Sequence, residues 1–524
     1  MRVNHFKSHT IRIVICAFIF FISGFILSFQ KNRLLTTHAL CPHCNVIAIV
    51  IDLVRTSNLP CYGYALNTMP ALCEFANQNI RFSNAHTQST RTLTSEASVF
   101  MSLYEANHGY QNITTDQIHP SIHTLVEAYK NAGYHTVFVG SQGHINVPLH
   151  GNIAKNFDTI KTFQADNVTA EINETTKALK ELEQRKESDP PIFLYIYIDF
   201  MQNYHQKDLF KINQQFLFDP SFHAPEIPKL HEFQETTLKH AINSLRYKVY
   251  SKDKTLTLHK HQQILTRLEQ AQSLPEAKRI FEELSLIEQE EIYYYHVESS
   301  LDAANESHRR YVQNLYDNRL ASLDISINAF LNRLKLSNIL KNTIVTFFSD
   351  HGESLGDNGL FGHSKSPYEV VTHIPFIMHV PNIGSQVHTP IVQLVDIMPT
   401  LLHLTGIPVP SRIVGTDLSG LFLNQSLSYP AGTFAITEEP GGLIRSIRTN
   451  KWRLIIDMHN PNYFTEELYD VQSDPHELYN IANSHKDVVK ALSEQLNNMI
   501  HKAPIYPHVK NPDNRIFSYQ DNSF

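Results

Sequence analysis

No basic stripe with interleaved aromatics runs along this chain, and its formal net charge is −7, so its composition does not fit a nucleic-acid partner. It has no internal repeat and no low-complexity tract, which excludes solenoids and compositionally disordered segments. Its five cysteines include one close pair, Cys41-Pro-His-Cys44, and no second pair to complete a four-thiolate zinc site. A metal or redox pair, a local disulfide and two free thiols all remain open there, the last two favoured outside the cytoplasm. Cys61 and Cys73 are close enough in sequence to pair.

A small-x-small cleavage site is also missing after the one long apolar run. That run, Ile13 to Phe29, is uncharged, follows Arg2, Lys7 and Arg12, and precedes Lys31 and Arg33. It reads as a membrane anchor at the short end of the spanning range, with a cleaved signal peptide as the alternative. Residues 1–12 then form a cytoplasmic tail, and the protein is single-pass with its large domain extracytoplasmic.

At 42% hydrophobic and 18% charged residues, the remainder is an ordinary globular composition. Its 524 residues predict one large domain with a smaller one attached. The organising stretch is Thr343 to Glu353, an apolar β-branched and aromatic run that ends in Ser349-Asp350-His351-Gly352. Such a run reads as a buried strand delivering a carboxylate and an imidazole to the carboxyl edge of a sheet, where open α/β sheets bind ligands. An Asp and a His side by side suit a divalent metal, and the plainer alternative is a helix-capping Asp. Two more buried strands end the same way, Val46–Ile51 before Asp52 and Ile192–Ile198 before Asp199. Helices over 68–79, 121–132, 168–187 and 311–335, with a strand over 133–140, complete an alternation that implies a parallel sheet. Residues 206–310 break this rhythm and predict an inserted helical lobe. Beyond 430, alternating segments at Ser446 and Trp452 and a helix over 486–501 predict a small sheet-plus-helix unit.

Several of these stretches resemble the sulfatase family. Ile51-Asp52 through Arg55 to Cys61-Tyr-Gly63 is similar to its opening, and Met69 to Ala76 to its first helix. Ser349 to Glu353, with Phe361-Gly362-His363 and Tyr368-Glu369, is similar to its second metal block. Glu467-Leu-Tyr-Asp470, Asp474-Pro475 and Glu477-Leu-Tyr-Asn480 resemble its C-terminal signature. The resemblance covers nearly everything from 46 to 500 except the helical lobe, and implies an α/β, alkaline-phosphatase-like sandwich with a central, mostly parallel sheet. The domains are then a catalytic domain over 42–430, interrupted by the lobe at 206–310, and an α+β subdomain over 431–524. It also implies a divalent metal (zinc, manganese or calcium) held by Asp52, Asp350, His351 and Thr92.

The departure lies at the nucleophile. The family carries Cys-x-Pro-Ser-Arg, whose Cys or Ser is oxidised to formylglycine, whereas here Thr92-Leu-Thr-Ser-Glu96 stands in that place. Oxidising a threonine carbinol gives a ketone, so no formylglycine is expected. The family's Lys and His after the strand ending at Gly140 are replaced by Ser141-Gln-Gly-His144. What remains resembles the threonine-nucleophile branch of the wider superfamily, which includes phosphoethanolamine and phosphoglycerol transferases. Thr92 is then the expected nucleophile, with Ser89 and Ser95 as alternatives in the same Ser/Thr run. His363 is expected to bind the transferred group or protonate the leaving group. His205, Gln202 and Lys365 are the candidate substrate contacts. The expected activity is hydrolysis or transfer of phosphate esters, with sulfate esters close behind, on a lipid or glycan. A non-catalytic binder of an envelope lipid or partner is the reading from another class; that Asp52, Thr92, Asp350, His351 and His363 are all chemically competent tells against it.

Overall fold

The structure is a computed structural model that describes residues 39–510, apart from 112–115, 142–152, 164–167, 187, 204–234, 251–257, 285–288, 290–300, 364–365, 423–433, 440, 461–463, 503 and 507–508. The apolar segment 13–29 and the Ser141 to His144 turn beyond Ser141 lie outside the described residues. Among the described residues no helix is long and apolar enough to cross a membrane.

Among the described residues nine strands form the main sheet. In chain order they are β1 (Asn45–Ile51), β2 (Ile80–His86), β3 (His135–Ser141), β4 (Thr159–Phe163), β5 (Ile192–Ile198), β6 (Thr343–Phe348), β7 (His373–His379), β8 (Gln386–His388) and β9 (Val392–Gln393). The order across the sheet is β8-β2-β7-β6-β1-β5-β3-β4, with β9 also paired to β2. Strands β6, β1, β5, β3 and β4 are mutually parallel, whereas β7 runs antiparallel to both β6 and β2. The mostly parallel sheet therefore matches the expectation from the alternating elements.

The central strands are apolar on both faces because both faces are covered. Ile47, Ile49, Leu194, Ile196, Val345 and Phe347 pack on one side with helices α1 (Pro70–Gln78) and the long Glu306–Leu336. Val46, Val50, Tyr195, Tyr197 and Phe348 face the other side, against Leu93, Ala97 and Phe100 of α2 (Thr92–Met101). This second face carries the candidate site.

The described part of the inserted segment is helical, as its composition predicts. Helices Glu235–Tyr250, Leu258–Gln270 and Leu274–Phe281 enclose a core of their own, including Leu245, Leu268 and Phe281. The return helix begins at Glu306, a little before the predicted 311, because Asn305 caps it by accepting from the Ser307 and His308 amides. At the C-terminal end, β10 (Phe434–Glu438), β11 (Ile444–Thr449), β12 (Trp452–Asp457) and β13 (Thr465–Asp470) form an antiparallel sheet backed by helix Lys486–Lys502. Arg453 of β12, fully buried, joins this unit to the main sheet by ion pairs to Glu369 (2.5 Å) and Glu477 (2.5 Å). The strands β2, β4, β7, β8, β9 and β10 were not legible as strands beforehand.

Candidate active site

The tips of β1 and β6 are stapled together before any functional side chain is placed. Asp52 N–H donates to the Ile198 carbonyl (2.9 Å), extending the ladder one residue past β1. Leu53 then adopts a positive φ of 62°, a conformation non-glycine residues rarely hold without support. Support comes from Tyr316 Oη, which donates to the Leu53 carbonyl (2.6 Å) and accepts from the Arg55 amide (3.1 Å). Ser349 Oγ accepts from the Val54 amide (3.0 Å) and donates to the His351 carbonyl (2.7 Å), so both turns are held at one atom.

Helix α2 brings in the third part. Ser95 Oγ donates to the Asp350 carbonyl (2.7 Å), and Ser89 Oγ is engaged with Thr94 Oγ1. Thr92, the first residue of the helix, is the member of the Ser/Thr run that meets the Asp-His block: its Oγ1 lies 3.2 Å from His351 Nε2.

Asp52, Asp350 and His351 are fully buried, and each offers one ligand atom within 4.8 Å of the others. His351 Nδ1 lies 3.0 Å from the Gly352 carbonyl, which can only accept, so Nδ1 carries the ring proton. Nε2 then presents its lone pair to Asp52 Oδ1 (3.7 Å) and Asp350 Oδ2 (3.6 Å). Burial, with the charge of His363 adding to it, pushes the His351 imidazole down to about 4 and keeps it neutral; burial likewise pushes the Asp350 carboxyl up to about 6. Asp350 Oδ2 forms no hydrogen bond. Two carboxylates and an imidazole lone pair converging in a dry site form the donor set of a divalent cation, so these residues fit the metal that the sequence implies.

His363 sits beside this cluster, its ring 4.7 Å from that of His351. Its Nδ1 pairs with Glu353 Oε2 at 2.8 Å. A two-residue antiparallel ladder explains the pairing: Ser354 opposes Gly362 and Leu355 opposes Phe361, so Glu353 and His363 face each other just beyond it. Burial works against a charge on His363, but Glu353 outweighs it and raises the imidazole to about 9. His363 is therefore a cation at neutral pH. Arg55 Nη1 fixes the Glu353 backbone through its carbonyl (3.0 Å) and pairs with Asp357 (2.5 Å).

Of the expected substrate contacts, Gln202 falls in the turn Phe200–Asn203 directly after β5, while His205 and Lys365 lie outside the described residues. Sequence reasoning missed two groups. Glu353 was noticed as part of a motif and not as the partner of His363, because a two-residue ladder leaves no periodic trace. Glu96, standing where the family has Arg, is fully buried and accepts a hydrogen bond from Tyr195 Oη (3.0 Å).

Comparison with known proteins points the same way. The chain matches the family described as "Sulfatase" over residues 44–407, and that described as "N-sulphoglucosamine sulphohydrolase, C-terminal" over 356–502. It is 30% identical over 240 residues to arylsulfatase K of Rattus norvegicus, an alignment that covers 43% of this chain and 41% of the relative. The chain thus spans less than half the length of that curated relative. A solved structure of a protein in complex with its substrate D-glucosamine-2-N,6-O-disulfate superposes with a TM-score of 0.60 at 20% identity, covering 88% of this chain and 98% of the other. The phosphonate monoester hydrolase of Agrobacterium radiobacter superposes equally well, with a TM-score of 0.60 at 13% identity over 88% of this chain and 96% of that one. Sheet order, strand-tip carboxylates and a family match across most of the chain agree, and the chain belongs to the sulfatase family.

Proposed function

We propose that this chain is a metal-dependent, sulfatase-like hydrolase of sulfate esters in which unmodified Thr92 carries the transferred group. The observation that carries the reading is Thr92 Oγ1 at 3.2 Å from His351 Nε2, inside the Asp52, Asp350 and His351 cluster. A divalent cation bound there lowers the pKa of the Thr92 hydroxyl and polarises the ester. Thr92 Oγ attacks sulfur, its proton leaving to solvent, and the bond from sulfur to the leaving oxygen breaks. His363, held protonated by Glu353, gives that oxygen a proton. Water then attacks the Thr92 ester, the bond to Oγ breaks, Oγ regains a proton, and sulfate departs. The balance is ester plus water giving alcohol plus sulfate.

A phosphate ester is the second reading. Thr92 lacks the aldehyde hydrate that helps other family members expel sulfate, while a threonine ester of phosphate is opened by water at phosphorus in the same way. The name of the Agrobacterium neighbour also favours it. The names of the relatives support a sugar sulfate as substrate. Two paired disulfides, Cys41–Cys44 and Cys61–Cys73, support an oxidising compartment, consistent with residues 13–29 as a membrane anchor.

The test is turnover and intact mass with aryl sulfate, phosphate monoester and phosphodiester substrates, comparing wild type with Thr92→Ala. We expect a sulfate-sized adduct on wild type alone, separated from phosphate by accurate mass, and a loss of at least about 10³-fold in kcat for the variant. An adduct that survives in Thr92→Ala would reject Thr92. Metal-loaded protein with neither turnover nor adduct would favour a binding protein.

A further inference from the structure

One buried polar group beside the site has no place in that scheme. Tyr197 lies on β5 opposite Val50 of β1, and Val50 lies opposite Phe348 of β6. Asp52 and Asp350 follow two residues beyond Val50 and Phe348, and side chains alternate along a strand. The Tyr197 ring therefore shares the face of both carboxylates, one row behind them. It is completely buried. Its hydroxyl makes no hydrogen bond of ordinary geometry; Thr92 is its partner at looser geometry, and Asp52, Asp350 and Glu96 are its charged neighbours. Tyr195, two residues back on the same face, differs in this respect: its hydroxyl is satisfied by Glu96 (3.0 Å).

Buried hydroxyls are nearly always well paired, and one held loosely against a nucleophile has a use if that hydrogen bond strengthens as charge develops during the reaction. Thr92 Oγ1 also lies 3.2 Å from His351 Nε2. Charge develops on Thr92 Oγ as it loses its proton to attack, and again when the covalent ester opens.

We propose that Tyr197 is a further catalytic residue, whose phenolic O–H donates a hydrogen bond to Thr92 Oγ as water displaces it from the sulfuryl or phosphoryl group. The bond from water oxygen to sulfur or phosphorus forms, the bond to Oγ breaks, and its electron pair stays on Oγ. The proton that neutralises Oγ comes from the attacking water, and Tyr197 keeps its own. This inference rests on Thr92 being the nucleophile.

Tyr197→Phe removes only the hydroxyl. We expect kcat to fall by about 10- to 100-fold, with the Thr92 adduct, a detectable minor fraction of wild type at steady state, becoming the dominant species by intact mass. A packing role would not move that second readout. The melting temperature should stay at or above that of wild type, since a loosely held buried hydroxyl is lost. Should the phenylalanine variant fail to fold, Tyr197→Met carries the same adduct test. Unchanged kcat with no added adduct in a folded variant overturns the proposal. Wild type showing neither turnover nor adduct overturns the Thr92 reading and this inference with it.

Discussion

Among the hydroxyls of the Ser/Thr run, position decides what chemistry cannot. Ser89, Thr92 and Ser95 carry the same functional group, but Ser95 is spent on the Asp350 carbonyl and Ser89 on Thr94, leaving Thr92 at the His351 nitrogen. The proposed metal site is also a matter of single atoms. Asp350→Asn keeps the shape and removes one charge, so bound metal measured by elemental analysis should weaken by at least about 100-fold while the fold persists. His108, close to the site in sequence, gives a separate pH prediction. It accepts the Tyr110 amide at Nδ1 (3.0 Å), sits 3.3 Å from Ser98 Oγ through Nε2, and is pushed down to about 3 by burial. The unfolded chain binds this proton more readily, so the stability it contributes is full above about pH 6.5 and falls with acid by about 1.4 kcal/mol per pH unit. Urea titrations at pH 7 and 5.5 should show that slope in wild type and a flatter one in His108→Gln.

At the scale of elements, the apolar parallel strands β1, β3, β5 and β6 were legible, whereas β4 and the strands beyond β6 in the main sheet were not. Strands β1, β5 and β6 are unbroken apolar runs because both of their faces are covered, and that composition is visible without any partner. The first turn of helix α2 lies within the Ser/Thr run, whose residues favour turns in isolation. All ten of its residues are buried, so packing overrides the local preference. The Ser354–Leu355 and Phe361–Gly362 ladder is shorter still, yet it creates the Glu353–His363 pair. Glu353→Gln keeps the hydrogen-bonding outline and removes the charge that sustains the His363 cation. Steady-state kinetics should show kcat lower by about 10- to 100-fold, with metal content unchanged; unchanged kcat would remove His363 from the chemistry.

Across the whole molecule, the small antiparallel sheet is tied to the large one by a buried charge network. Arg453 reaches Glu369 beside β7, Glu477 in the C-terminal signature and the Pro367 carbonyl (2.8 Å). Glu369 is held well below the ordinary carboxylate range: burial opposes its charge, but His86, Arg453 and Arg448 together outweigh it. Arg453→Met would leave Glu477 without its cation and Glu369 with one of its two arginines, a loss of about 3–5 kcal/mol. Denaturant unfolding should report it as an earlier transition, and an unchanged midpoint would mean the subdomain is held by apolar packing alone.

The sequence by itself determined the class of fold and the carboxylates at the strand tips, because each is written in contiguous residues. Apolar runs declare buried strands, and a strand that ends in Asp places that Asp at the sheet edge. Which hydroxyl meets the metal ligands, which carboxylate charges His363 and where Tyr197 points were decided only by the tertiary structure. Thr92 and His351 are 259 residues apart and Tyr195 and Glu96 are 99 apart, and pairings at such separations depend on the order and register of strands that local patterns do not encode.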